Sequence, residues 1–191
     1  MISKNTLDLL KKDIVKILII QILNNLILSQ LTGEQIFNNK WKNNLVGTLI
    51  GFLVYNLVTK KYTQAFKDLI QSTNPNVNNA LSDILKFGTI LVVKHIYVLG
   101  RIQFSPSWLF KTLIILFTYL IFHIFVKDKI PKIKNYQKSS NIIFRNISII
   151  LASDYLTDYD IEGDTLNIII SNITSVFIYG HFISKHIDKL I

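Results

Sequence analysis

Between Trp108 and Val126 the chain offers only two groups that can carry charge near neutral pH, Lys111 and His123. A bilayer's hydrocarbon core is about 30 Å thick, so a helix needs about 20 mostly apolar residues to cross it. This stretch meets that length and leaves no polar face to show water. Its start is marked as well: Ser105 is placed to cap a helix whose first position is Pro106. Five further stretches approach the same length: Ile14 to Leu31, Leu45 to Thr59, Leu81 to Leu99, Ile142 to Leu156 and Thr165 to Ile183. The second and fifth of the six are short and need local thinning or interfacial flanks to cross. The expected fold class is all-α: one integral membrane domain, residues 1–191, of about six transmembrane helices arranged as three hairpins.

A soluble helical protein is the competing reading. Charged residues make up 17% of the chain and the mean hydropathy is +0.37, both borderline for a multi-pass protein. The distribution of charge decides between the two. Sixteen of the 21 Lys and Arg lie outside the apolar stretches, and thirteen of those fall in alternate gaps. One set is Lys4, Lys11 and Lys12, then Lys60, Lys61 and Lys67. It continues with Lys127, Lys129, Lys132, Lys134 and Lys138, and ends with Lys185 and Lys189. The intervening gaps hold only Lys40, Lys42 and Arg101. Basic residues near span ends favour the cytoplasmic side. Both termini and the second and fourth loops are therefore expected on the cytoplasmic or interior-facing side. A soluble bundle has no reason to sort its charges in this way. The net charge of +9 is explained by topology rather than by nucleic acid. The five lysines of the fourth loop are candidates for contact with anionic lipid.

The even stretches share a faint pattern. Thr48 to Tyr55 aligns without gaps to Thr112 to Tyr119, and Asn172 to Tyr179 follows more loosely. The odd stretches open on Asp13 and Lys16, on Asp83 and Lys86, and on Arg145. This spacing is consistent with a threefold hairpin repeat. Eight residues beyond each basic position come Asn24 and Asn25, Lys94 and His95, and Ser153 and Asp154. At 1.5 Å per residue the three pairs lie about 12 Å further along helices of the same direction. They form a candidate polar cluster in the membrane. Such a cluster lines a permeation path, or it glues helices together with Lys94 and Asp154 as a register-fixing pair. His123 and His181 read as packing residues, and Trp41, Trp108 and Tyr62 as interfacial rings.

The fifth loop carries Asp158, Asp160, Glu162 and Asp164 around Gly163. The run resembles the first half of an EF-hand calcium loop, which makes it a candidate weak cation-binding loop. Its twelfth position is Ile169, inside the sixth stretch, where the motif requires a bidentate Glu. The competing reading is a solvated acidic turn with Asp164 capping the sixth helix.

No nucleophile elbow, phosphate-binding glycine loop or metalloprotease helix motif occurs, and there is no cysteine. The expectation is a non-enzymatic protein without cofactor or structural metal. The lipid bilayer is its main partner, and a homo-oligomer is compatible with the sequence. The first stretch reads as a retained anchor, since it lacks a small-residue cleavage site. The 34 Ile and 17 Asn against 3 Ala carry the stamp of an AT-rich genome, for which a viral or organellar membrane is a plausible setting. Two roles are expected: a structural or membrane-organising one, or a small transporter or channel.

Overall fold

The computed structural model describes residues 4–70, 74–130, 137–156 and 164–190. Every regular element among them is helical, in six continuous runs. The first is α1 (Lys4–Thr32). The second joins α2 (Asn39–Val54), a π-helical segment π1 (Tyr55–Thr59), a 3-10 turn (Lys60–Tyr62) and α3 (Thr63–Ile70). The third is α4 (Pro75–Leu99). The fourth joins α5 (Pro106–Ile121), π2 (Phe122–Val126) and a 3-10 turn (Lys127–Lys129). The fifth is α6 (Gln137–Leu156), and the sixth joins α7 (Asp164–Ile178), π3 (Tyr179–Ile183) and α8 (Ser184–Leu190).

Local chemistry sets the boundaries. Ser105 is extended and its hydroxyl accepts from the Trp108 N–H at 3.2 Å, with Pro106 opening α5. Asn74 does the same for α4, accepting from the Asn76 N–H at 2.8 Å ahead of Pro75. α4 stops at Gly100, whose φ of 67° puts it in the left-handed region while its N–H reaches the Ile96 carbonyl. Glycine adopts this conformation without the penalty a Cβ brings. α1 ends in the same way at Gly33, φ 72°, whose N–H donates to the Ser29 carbonyl.

Three helices are long and apolar enough to cross a membrane: Leu7–Thr32, Pro106–Lys129 and Thr165–Ile187. They match the first, fourth and sixth apolar stretches. The other three stretches are helical but fall short of that standard. α4 is 25 residues long, yet Asp83, Lys86 and Lys94 interrupt its apolar part. The fifth stretch contributes a shorter apolar helix, Ser140–Ala152. α2 has 16 residues before its π segment begins.

The chain divides into two compact units, Met1–Leu45 with Glu162–Ile191, and Val46–Ile161. In the first unit α1 packs along α7. In the second, α4 packs on π1 and α5, and α5 packs on α6. These three helices bury little of themselves in this packing. Only 11%, 17% and 17% of their most apolar windows are buried. Along α5 and π2 the side chains of Phe110, Leu113, Phe117, Ile121 and Phe125 stand exposed in one stripe. At partial exposure each forgoes on the order of 1 kcal/mol of burial free energy in water. A contiguous exposed apolar stripe of this length suits an apolar covering.

Candidate functional site

The even-numbered apolar stretches carry one shared burial pattern. In α2 and π1 it is Gly47, Gly51, Phe52 and Tyr55; in α5 and π2 it is Ile114, Thr118, Tyr119 and Phe122. In α7 and π3 it is Ser171, Ser175, Val176 and Tyr179. Ten of these twelve positions are buried, with Thr118 and Tyr179 half-buried. The last position of each set is the first residue of a π segment. In this register Phe122 is the equivalent of Tyr55 and Tyr179. The sequence alignment placed Tyr119 there, three residues earlier. Three residues are nearly one helical turn, so Tyr119 and Phe122 lie on the same face, and both are buried.

Small residues in these sets let backbones approach, as in membrane helix pairs generally. A Cβ added at Gly51 would lie 2.8 Å from the Ile90 Cα and 3.0 Å from the Ile90 carbonyl oxygen. At Gly47 it would lie 3.0 Å from the Lys94 Cγ and 3.2 Å from its Cα. α2 and α4 therefore touch backbone to backbone. Ser171 and Ser175 are fully buried, and each hydroxyl donates to a carbonyl three residues back, Ile168 and Asn172 respectively. Their polarity is thus met inside their own helix.

A basic side chain from an odd stretch lies over an aromatic ring of an even one in each case. Lys86 Nζ is 4.9 Å from the centre of the Phe52 ring. The Arg145 guanidinium is 5.0 Å from Tyr119 and 5.5 Å from Phe87. In the first unit, Lys16 Nζ is 5.9 Å from Tyr179. A cation over a ring face is attracted by the ring quadrupole, more so where water is scarce.

The densest polar group joins α4, α5 with π2, and α6. The Tyr119 hydroxyl donates to Asp83 Oδ2 at 3.1 Å and accepts from Arg145 Nη1 at 3.0 Å. It bridges an ion pair whose members do not touch. Arg145 directs its Nε and Nη2 to Asn146 Oδ1. His123 stacks on Tyr119 at 4.7 Å, and its Nε2 is 3.6 Å from the same Asp83 oxygen. His123 Nδ1 is buried and finds no partner. The Asp83 side chain keeps 39% of its surface exposed. The sequence named Asp83, Tyr119, His123 and Arg145 singly and did not join them. The four-residue spacing of Tyr119 and His123, which puts both on one helix face, was the available signal.

The expected cluster residues have the following surroundings. Asn25 is buried and its Oδ1 accepts from the Phe37 N–H at 2.9 Å, which ties the turn after α1 back onto that helix. Phe37 needs the tie, since its φ of 56° is unusual for a residue with a Cβ. Asn24 Oδ1 is buried without a partner. Lys94 lies against Gly47. His95 Nε2 is 3.0 Å from the Gln103 carbonyl oxygen, and its ring stacks on Trp108 at 4.2 Å. That places it at the α4–α5 connection. The side chains of Ser153, Asp154 and Asp164, and residues Asp158, Asp160 and Glu162, lie outside the described residues. So do Lys132, Lys134 and the side chain of Lys138. Among the described residues no group of three His, Asp or Glu is placed to hold a metal ion. No known family, curated protein or solved structure matches the chain.

Proposed function

We propose that this chain is a multi-pass integral membrane protein with a structural or membrane-organising role, and that it is not an enzyme. Its six helices act as three hairpins, crossing the bilayer with both termini and the second and fourth loops on the cytoplasmic or interior side. The observation that carries this reading is the open apolar surface of the three spanning helices, of which no more than 17% of the most apolar window is buried. Lipid is the covering that such helices fit. The shared burial pattern and the three cation-on-ring contacts, which join the third stretch to the second, the fifth to the fourth and the first to the sixth, support a threefold repeat in which each odd helix packs on the even helix of another hairpin. The polar groups of the second unit favour a structural role because they bond helix to helix, as Asp83, Tyr119 and Arg145 do. A viral or organellar membrane remains the setting that the AT-rich composition suits, and a homo-oligomer fits the open faces.

The second reading, a small transporter or channel, draws on the half-exposed Asp83 beside the unpartnered nitrogen of His123. Intramembrane ionisable groups are often functional. Ion and proton flux into liposomes holding the purified protein separates the two readings. The structural reading expects flux equal to empty liposomes, and expects Lys94→Leu and Asp154→Asn to act on stability, with partial recovery in the double variant. Flux above empty liposomes that Asp83→Asn abolishes would replace it with the second reading.

A further inference from the structure

We propose that Lys60, Lys61, Lys67, Lys127 and Lys129 of the second unit form one binding surface for the headgroups of anionic lipids. The proposal rests on the membrane reading above and deepens it, because it joins two loops that are far apart in sequence. The packing register brings them together. Gly47 meets Lys94 and Gly51 meets Ile90, so α2 and α4 run antiparallel, residue against residue. Beyond that register π1 and α3 continue to pack on α4, which brings Lys60, Lys61 and Lys67 alongside the N-terminal part of α4. The fourth run arrives at the same end, since Asn76 Nδ2 donates to Asp128 Oδ2 at 2.8 Å. Lys127 and Lys129 flank that aspartate.

Lys60 to Lys67 span seven residues of their own run, or about 10 Å at about 1.5 Å per residue, and Lys127 and Lys129 join them through Asp128. The polar zone of one leaflet is about 5 to 8 Å deep. A lysine stem extends far enough to bring all five ammonium groups into that zone. Lys60, Lys61 and Lys129 are exposed, and Lys67 and Lys127 half-buried. The two acids of the band are engaged by neutral amides: Asp128 by Asn76, and Asp68 by the Gln64 Nε2 at 2.8 Å. Among the described residues none of the five lysines makes an ion pair. Tyr62, exposed beside them with Lys61 over its ring at 4.9 Å, suits the same depth. The opposite end of the unit presents Arg101. A headgroup phosphate layer is the ligand whose charge and thickness match this band.

The test uses the full chain in lipid nanodiscs of phosphatidylcholine with one fifth phosphatidylglycerol, counting retained lipids by native mass spectrometry. We expect phosphatidylglycerol to be retained several-fold over its bulk share, and less so at 1 M salt. Lys60→Gln, Lys61→Gln, Lys127→Gln and Lys129→Gln together should remove most of the enrichment. The four Lys→Arg changes should keep it, as should Arg101→Gln. Unchanged enrichment in the quadruple Gln variant, with native helical circular dichroism, overturns the proposal. Equal thermal stabilisation by inorganic phosphate in pure phosphatidylcholine also overturns it, since the site then selects phosphate and not a leaflet. Failure of the membrane reading has a different signature: the chain would stay monodisperse in buffer without detergent.

Discussion

Removing one oxygen atom tests the bridged ion pair. Tyr119→Phe keeps the ring that stacks on His123 at 4.7 Å and on Phe87 at 5.0 Å. It deletes the hydroxyl that donates to Asp83 and accepts from Arg145. Hydrogen bonds to charged groups contribute about 1.5 to 3 kcal/mol each. Asp83 is more than a third exposed, so its share is discounted toward the value of a surface pair, about 1 kcal/mol or less. The two bonds place the charged atoms no more than about 6 Å apart, so their direct attraction survives the change. The expected loss is about 1 to 3 kcal/mol. It is read from unfolding in mixed micelles with increasing sodium dodecyl sulfate, followed by circular dichroism. A cycle with Asp83→Asn and Arg145→Gln adds a stricter requirement: Tyr119→Phe should cost much less in either background than alone. A Tyr119→Phe protein within about 0.5 kcal/mol of the parent, or full additivity in the cycle, would refute the bridge.

Other substitutions probe the seams and the unpartnered Nδ1 of His123. Gly51→Ala pushes a methyl into the Ile90 backbone, and we expect a loss of about 1 to 3 kcal/mol in the same assay, with Gly47→Ala costing less because its nearest contact is the movable Lys94 Cγ and the Lys94 Cα is 3.2 Å away. Ser171→Leu and Ser175→Leu place bulk where no surface is exposed, and should separate α1 from α7, seen as lost cross-linking between cysteines placed on the two helices. His123→Phe keeps the stack on Tyr119 and removes a buried nitrogen without a partner; stability should change by less than about 1 kcal/mol, whereas a transport role would make this variant inactive. Asn25→Ala strands the Phe37 N–H and should lower stability by about 1 to 3 kcal/mol, with the Phe37 and Trp41 fluorescence environment altered.

The helices themselves were legible because length and apolar character suffice to mark them. Ser105, Pro106 and the stretch from Trp108 announced α5, and the structure has all three in the expected places. The pairing of helices was less legible. Arg145 reaches Tyr119 across 26 residues, and no local spacing encodes that contact. The π segments were hidden for a related reason. YNLVT, FHIFV and YGHFI share no motif that marks a π turn. Asn25 shows how a polar residue in an apolar stretch can serve a neighbouring turn, here Phe37, within its own unit. His95 likewise serves the connection at Gln103.

A membrane location with alternating loops is the claim on which the rest depends, and the absence of cysteine allows a direct check. Single cysteines at Glu34, Gln64, Gln103 and Asp128 can be labelled in intact cells or sealed vesicles with a membrane-impermeant maleimide. Positions 34 and 103 should react from the outside, and positions 64 and 128 only after permeabilisation. Equal reactivity at all four sites, with the protein recovered in the soluble fraction, would contradict the bilayer arrangement.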